Sequence, residues 1–274
     1  MTEVTQSDIL RALTELGIVK GDLVLFHSSL KSMGHVVGGA DAVIDAFLEA
    51  VGEEGTVVVP TLSQTNFEHA YEDWTMDRPS DVGLITETFR KRPNALRSDQ
   101  ATHSVAAIGK LAHELTYEHT AYGPRYGIFG DTPFSHSSPW EKMYQHNAKI
   151  VFVGITMRKN TFKHLIEYRI VERYLGAIQD EEARSALKAK VWTHNRFGEK
   201  GIWPFHNAEQ LQAVLEENGM VKKATCGDAT FLCVNSKEMC DFADALFERE
   251  PEKWYTPEVL QWMEDCRKAA AKTK

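Results

Sequence analysis

The segment Leu-Val-Leu-Phe-His-Ser-Ser-Leu-Lys-Ser-Met-Gly-His-Val-Val-Gly-Gly, residues 23–39, constrains the fold most. Leu23, Val24, Leu25 and Phe26 form an unbroken apolar run of strand length, the pattern of a strand covered on both faces. His27, Ser28 and Ser29 close it. A loop of small residues follows (Ser32, Gly34, Gly38, Gly39), and residues 40–50 then carry Val43, Ala46, Phe47 and Ala50 on one helical face. Strand, loop and helix in this order predict an α/β fold. Ligands of open α/β sheets bind outside the carboxyl ends of the strands, which is where His27, Ser28 and Ser29 fall. Backbone N–H groups of a Gly/Ser loop before a helix suit an anion such as phosphate. A plain strand-to-helix turn uses the same residues, and both readings stand at this point. Gly34 to Gly39 has the spacing of half a P-loop, but Ala40-Asp41 replaces Lys-Ser or Lys-Thr, and no G-x-G-x-x-G is present. Leu30 and Met33 add apolar surface, which favours a ligand with phosphates and a long, partly apolar arm.

The rest of the chain alternates between strand and helix patterns. Residues 5–16 predict an amphipathic helix, with Ser7 as its cap and Gly17 at its end. Residues 56–59 predict a second buried strand, ending at Pro60-Thr61 and placing Thr61 near His27. Residues 149–154 predict a third. Further strands are expected at 105–108 and 230–234. Further helices are expected at 83–91, within 107–117, and at 140–146, 160–175, 208–218, 238–247 and 257–271. A charged helix or connector fits 179–189 and a hairpin fits 191–203. Residues 63–82 and 122–139 lack periodicity and are expected to be active-site loops, since long irregular loops in compact domains are commonly functional. The first is polar and aromatic, with Glu68, Glu72, Asp73, Asp77 and Asp81. The 274 residues are expected to form a single domain, 179–274 being the C-terminal part of it.

Composition excludes several classes. A formal net charge of -8 disfavours nucleic acid and anionic membrane surfaces and permits a cationic substrate. Cys226, Cys233, Cys240 and Cys266 form no C-x-x-C pair, so reduced, buried thiols of a cytoplasmic protein are expected. The first residues carry neither a basic region nor an apolar core of a secretory signal. No apolar run approaches the about 18 residues of a membrane span.

Thr161-Phe-Lys-His164-Leu-Ile-Glu167 is the sharpest chemical constellation. Asn160 or Thr161 can cap a helix here, placing His164 in its first turn with Glu167 on the same face. The positive end of the helix dipole disfavours imidazolium, and neutral imidazole is what a general base requires. Glu167 would orient the ring or hold a cationic substrate; a surface His–Glu contact has the same spacing. H-E-x-x-H is absent. A zinc site of His27, His103 and His164 is conceivable in space, but no spacing calls for it. No G-x-S-x-G surrounds Ser28, Ser29 or Ser104, which disfavours an α/β-hydrolase. Arg97 pairs with either a phosphate or a structural carboxylate.

Taken together, these elements resemble the aminoglycoside 3-N-acetyltransferase family. The matching residues are His27-Ser-Ser-Leu-Lys-Ser-Met-Gly34 with Val37-Gly38-Gly39, and Gly55-Thr56-Val-Val-Val-Pro60-Thr61. Arg97-Ser98 with Thr102-His103-Ser104-Val105-Ala106-Ala107-Ile108-Gly109, Ser138-Pro139 and Thr161-x-x-His164-x-x-Glu167 follow in the family's order. The resemblance implies a three-layer α/β fold with a mixed central β-sheet flanked by helices, distinct from the GNAT superfamily. It implies acetyl transfer from acetyl-CoA to an amine of an aminoglycoside or related amino sugar, with no metal. His164 would be the base, Glu167 would meet the amine or orient the base, and Thr161 would bond the thioester oxygen. The cofactor would be held by His27, Ser28, Ser29, Leu30, Lys31, Ser32, Met33, Gly34, Val36, Val37, Thr61, His103 and Ser104. Asp73, Asp77 and Glu167 would hold a polycationic acceptor. Ala101 stands where the family often has proline, and no glycine immediately precedes Ser138; both positions bear on which amine is accepted. A homodimer is compatible with an enzyme of this size. The alternatives are a metal-dependent or serine hydrolase, and a CoA-binding protein acting on a non-aminoglycoside amine.

Overall fold

The computed structural model describes residues 2–63, 65, 69–191 and 202–272. The chain opens with β1 (Glu3–Val4) and α1 (Gln6–Glu15). Thr5, not Ser7, caps α1: its hydroxyl accepts from Asp8 N at 3.3 Å and the Asp8 carboxylate accepts from Thr5 N at 3.0 Å. This reciprocal pair needs an acid three residues after the cap, and after Ser7 that position is Leu10. β2 (Leu23–Ser28), β3 (His35–Val36), α2 (Gly39–Val51) and β4 (Thr56–Pro60) follow. Then come α3 (Leu84–Arg90), β5 (Leu96–Arg97), β6 (Val105–Gly109), α4 (Ala112–Thr116), α5 (Pro139–Gln145) and β7 (Lys149–Val153). The remainder is α6 (Phe162–Gly176), α7 (Glu181–Lys190), α8 (Ala208–Glu217), β8 (Lys222–Cys226), β9 (Ala229–Asn235), α9 (Ser236–Arg249) and α10 (Pro257–Ala271).

Seven strands form one sheet in the order β5-β6-β4-β2-β7-β9-β8. β4, β2 and β7 are parallel, and every other pairing is antiparallel. The sheet is therefore mixed. Alternation along β2 sends Leu23 and Leu25 into one hydrophobic cluster and Val24 and Phe26 into the other. The first cluster includes residues of α5, α6, α9 and α10; the second includes residues of α1, α2 and α3. Phe26 stacks on Phe47 of α2 with ring centroids 4.0 Å apart, and burying a side chain of this size contributes ~1.5–3 kcal/mol. Helices thus cover both faces of the sheet, as the family resemblance implies.

The crossover through α2 carries the chain from β2 to β4 on one side, while β7 pairs with the other side of β2. Connections that leave a central strand in opposite directions open a crevice at its carboxyl end. That crevice lies at His27, the same residue that closes the opening apolar run.

The β8–β9 pair was not foreseen from the sequence at β8. Only Ala224 and Cys226 of that strand are buried, so no apolar run marks it, and its Lys222 and Lys223 suit a protected sheet edge. Of the expected hairpin at 191–203, residues 192–201 lie outside the described residues. Its described ends meet in one parallel bridge, Val191 with Ile202, whereas a hairpin would pair them antiparallel.

Candidate active site

A cleft of about 660 Å³ opens at the carboxyl ends of the parallel strands. His27, Ser28 and Ser29 of β2 and its exit form its floor, with Pro60 and Leu62 from the end of β4. The turn after β7 and the first turn of α6 form the opposite wall, through Arg158, Lys159, Asn160, Thr161, Lys163 and His164. Gly154, at the end of β7, has φ +63°, and a Cβ there would lie 1.8 Å from Ser32 Oγ. Only glycine lets the turn after β2 close over the end of β7 in this way.

Asn160 supplies the cap of α6: its Oδ1 accepts from Phe162 N at 3.0 Å. Thr161 makes no side-chain cap bond and lines the cleft instead. His164 Nδ1 lies 2.8 Å from Glu167 Oε2. The Glu167 side chain is 0% exposed, so this is not a surface pair. Its Oε2 meets His164 behind the cleft wall, the arrangement of a residue that orients the ring. The other ring nitrogen of His164 has no protein partner among the described residues. Trp203 Nε1 donates to the same Glu167 oxygen at 2.9 Å, and His206 Nδ1 stands 3.7 Å from Oε1. Burial alone would push the Glu167 carboxyl up. The His164 ring, His206 and the Trp203 N–H outweigh it and hold the group below the usual carboxylate range.

Aromatic rings frame His164. Phe129 lies 4.8 Å and Phe134 6.0 Å from it, centroid to centroid, both from the 122–139 loop, and His103 lies at 5.9 Å. Arg125 anchors that loop from inside, pairing with Glu141 at 3.0 Å and Glu172 at 2.6 Å. The 63–82 loop is tied to the sheet by Arg97, which donates to Thr61 O at 2.9 Å and Met76 O at 2.8 Å and lies over Trp74. Arg97 is thus a structural clamp.

Several expected site residues lie elsewhere. Thr61 and Ser104 are fully buried; their hydroxyls are 2.9 Å apart, and Ser104 also donates to Thr61 O. They join β4 to β6 and do not line the cleft. Met33 and Val36 belong to the core. Leu30, Lys31, Ser32, Gly34 and Val37 lie outside the cleft wall, which ends at Ser29. Asp73 is paired with Arg78. Asp77 faces a different pocket, with Arg90, Arg97 and Glu118. Of the acidic lid, Asp81 lines the cleft, and Glu68 lies outside the described residues.

Other cleft residues were overlooked. Arg158, Lys159 and Lys163 flank the start of α6 and make no ion pair with a carboxylate among the described residues; a basic cluster just before a helix cap was the available signal. Trp203 and His206 carry no local signal, because only the fold brings them to Glu167.

Burial lowers the pKa of His27 and His119 to about 3 and that of His206 to about 4, and drives His103 well below the usual value, there aided by His164. These four rings are neutral in the folded chain at neutral pH and take up protons on unfolding below ~6.5. A lowered folded pKa stabilises above the unfolded value, and that stability is lost as pH falls from ~6.5 toward 3–4. Thermal unfolding at pH 5 is therefore expected to take up about four protons through these groups, read from the slope of Tm against pH combined with the calorimetric enthalpy.

Residues 25–248 match the family model described as aminoglycoside 3-N-acetyltransferase. The chain belongs to that family. As a member it is an acetyltransferase, and antibiotic acetylation is the family's theme. The SPbeta prophage-derived aminoglycoside N(3')-acetyltransferase-like protein YokD of Bacillus subtilis is 33% identical over 91% of this chain and 94% of its own. Aminoglycoside N(3)-acetyltransferase VII of Streptomyces paromomycinus is 26% identical over 90% and 92%. Among solved structures, YokD matches with TM-score 0.69 and 24% identity over 92% of this chain and 96% of that one. AAC-IIIb, solved as a binary complex with CoASH, matches with TM-score 0.70 and 18% identity over 93% and 99%. These two likenesses are of fold. No helix among the described residues is long and apolar enough to cross a membrane.

Proposed function

We propose that the protein transfers the acetyl group of acetyl-CoA directly to an amine of an aminoglycoside or related amino sugar, with His164 as general base. The observation that carries this reading is the His164–Glu167 pair, with His164 on the wall of a cleft that also carries Arg158, Lys159 and Lys163. Its Nδ1 bonded to a buried carboxylate, His164 keeps Nε2 for proton transfer.

The cleft fits such a donor. Arg158, Lys159 and Lys163 stand at its wall without carboxylate partners among the described residues, which suits phosphates. Ser28, Ser29 and His27 line its floor. The His27 ring is neutral and leaves Nε2 buried without a partner among the described residues. The donor, when bound, supplies an acetyl group activated as a thioester. His164 Nε2 accepts a proton as the amine nitrogen bonds to the acetyl carbon. His164 then returns a proton to the departing sulfur as the carbon–sulfur bond breaks. Thr161 and the backbone N–H groups at the start of α6 favour negative charge building on the acetyl oxygen. Glu167 holds the ring in place and balances its charge while the proton is on it. Asp81, a carboxylate of the cleft wall that also accepts from Thr65 N, adds negative charge on the side an ammonium group of the acceptor would approach.

Amine-dependent release of free CoA tests the reading. Reversing two of the wall charges, with Arg158→Glu and Lys159→Glu combined, is expected to raise the KM for acetyl-CoA by ~10-fold and to leave kcat within about twofold. Steady-state kinetics at two salt concentrations check this, since the defect shrinks as salt screens the cleft.

A further inference from the structure

Among the described residues, hydrogen bonds reach Glu167 at one of its two oxygens. Its Oε2 accepts both from His164 Nδ1 and from Trp203 Nε1. Its Oε1 has no hydrogen-bond partner among the described residues, although His206 faces it. The site is closed to water there, with Glu167 and His206 side chains at 0% exposure. An indole N–H donates and never accepts, so Oε2 must present a lone pair to Trp203 whatever the rest of the site does. A proton taken up by the pair, from solvent or from the amine, has two places to go. It stays on His164, as imidazolium beside carboxylate, or it crosses to Glu167 and leaves two neutral groups.

We infer that Trp203 is a positioning residue that keeps Glu167 ionised, by donating its indole N–H to the carboxylate oxygen that also faces His164. This rests on the reading of His164 as the base. Without the indole donor the buried carboxylate keeps one hydrogen-bond donor among the described residues, and a carboxylate that loses a donor in a dry site binds its proton more readily. The one-proton pair, which leaves His164 Nε2 bare, then survives only at higher pH.

The surrounding groups do not titrate in its place. His103 and His206 are held neutral by burial, and burial pushes the Tyr168 and Tyr255 hydroxyls up. Lys163, one residue from His164, stays on the cleft wall and is unchanged by a substitution at Trp203.

Trp203→Phe keeps an aromatic ring against Tyr168, which Trp203 meets at 5.0 Å, and removes the N–H. The acidic limb of kcat/KM is expected to move up by about one pH unit, a tenfold loss of rate below the limb. The loss is recovered on raising the pH, with the KM for acetyl-CoA unchanged. A uniform loss at every pH, or an unmoved limb, overturns the inference, because a packing defect alone has no reason to follow pH. Nitrogen NMR of labelled histidine in the substrate-free protein reads the same event without turnover. His164 is expected to titrate at higher pH in the variant, and this outcome stands even if no amine is acetylated, so failure of the proposed reaction is told apart from failure of the inference. Should Trp203→Phe not fold, the wild type decides. Its Trp203 indole N–H resonance is expected to exchange slowly and to shift with the titration of His164; a fast-exchanging or pH-indifferent indole overturns the assignment.

Discussion

Replacing His164 by alanine is expected to lower amine-dependent acetyl transfer by ~10²–10⁴-fold at saturating substrates. The KM for acetyl-CoA should change little, since the phosphates are assigned to Arg158, Lys159 and Lys163 rather than to the ring. A fall in kcat and kcat/KM together marks an interaction made in the transition state. The substitution also removes one of the two donors that a buried carboxylate has among the described residues, so a thermal melt must accompany the kinetics. A variant that melts near wild type and still turns over at the wild-type rate would remove His164 from the mechanism.

Glu167→Ala is expected to hurt both stability and rate. It strips the Trp203 N–H of its partner inside the protein, at a cost of ~1–3 kcal/mol, and adds a cavity term. For a chain of this length each kcal/mol lowers Tm by roughly 2–4 °C, so a drop of several degrees is expected. Without the carboxylate, His164 loses the contact that fixes which nitrogen carries the proton, and the rate should fall by ~10²-fold or more. Glu167→Gln separates the two effects. The amide oxygen can still accept from Trp203, so most of the stability should return, while the charge that balances imidazolium does not. Calorimetry of both variants beside their pH–rate profiles reads this directly. Wild-type rate and Tm in Glu167→Gln, beside losses of both in Glu167→Ala, would show that the side chain acts by filling space and accepting the indole N–H, not by its charge.

Much of this was legible in the chain. The apolar runs before His27, at residues 56–59 and at 149–154 became the three parallel strands, because a strand covered on both faces has to be apolar throughout. Thr161 at the start of α6, His164 in its first turn and Glu167 one turn on were legible as one face, but their spacing left a surface His–Glu contact open, and burial of Glu167 is what the fold adds. The family motifs located the cleft but blurred their own roles. A motif such as His27 to Gly34 mixes residues that face a ligand with residues that hold the turn, and Met33 sits in the core only because the chain doubles back on β1. Thr61 and Ser104 face each other across a β4–β6 pairing that no local pattern announces. Charges were misread for a similar reason. Asp73 reads as a free carboxylate until the loop folds and brings Arg78 to it. Trp203 and His206 reach Glu167 across some forty residues, a distance at which composition and periodicity carry no information.

The central claim is that the His164–Glu167 pair drives acetyl transfer to an amine from acetyl-CoA. Release of free CoA thiol measures it most directly, recorded for wild type and His164→Ala with acetyl-CoA alone and with a panel of aminoglycosides and amino sugars. Thiol release that needs an amine, yields the N-acetylated product in equal amount and collapses in His164→Ala is the result this account predicts. Release at the same rate without any amine, or none with every amine in the panel, would contradict it.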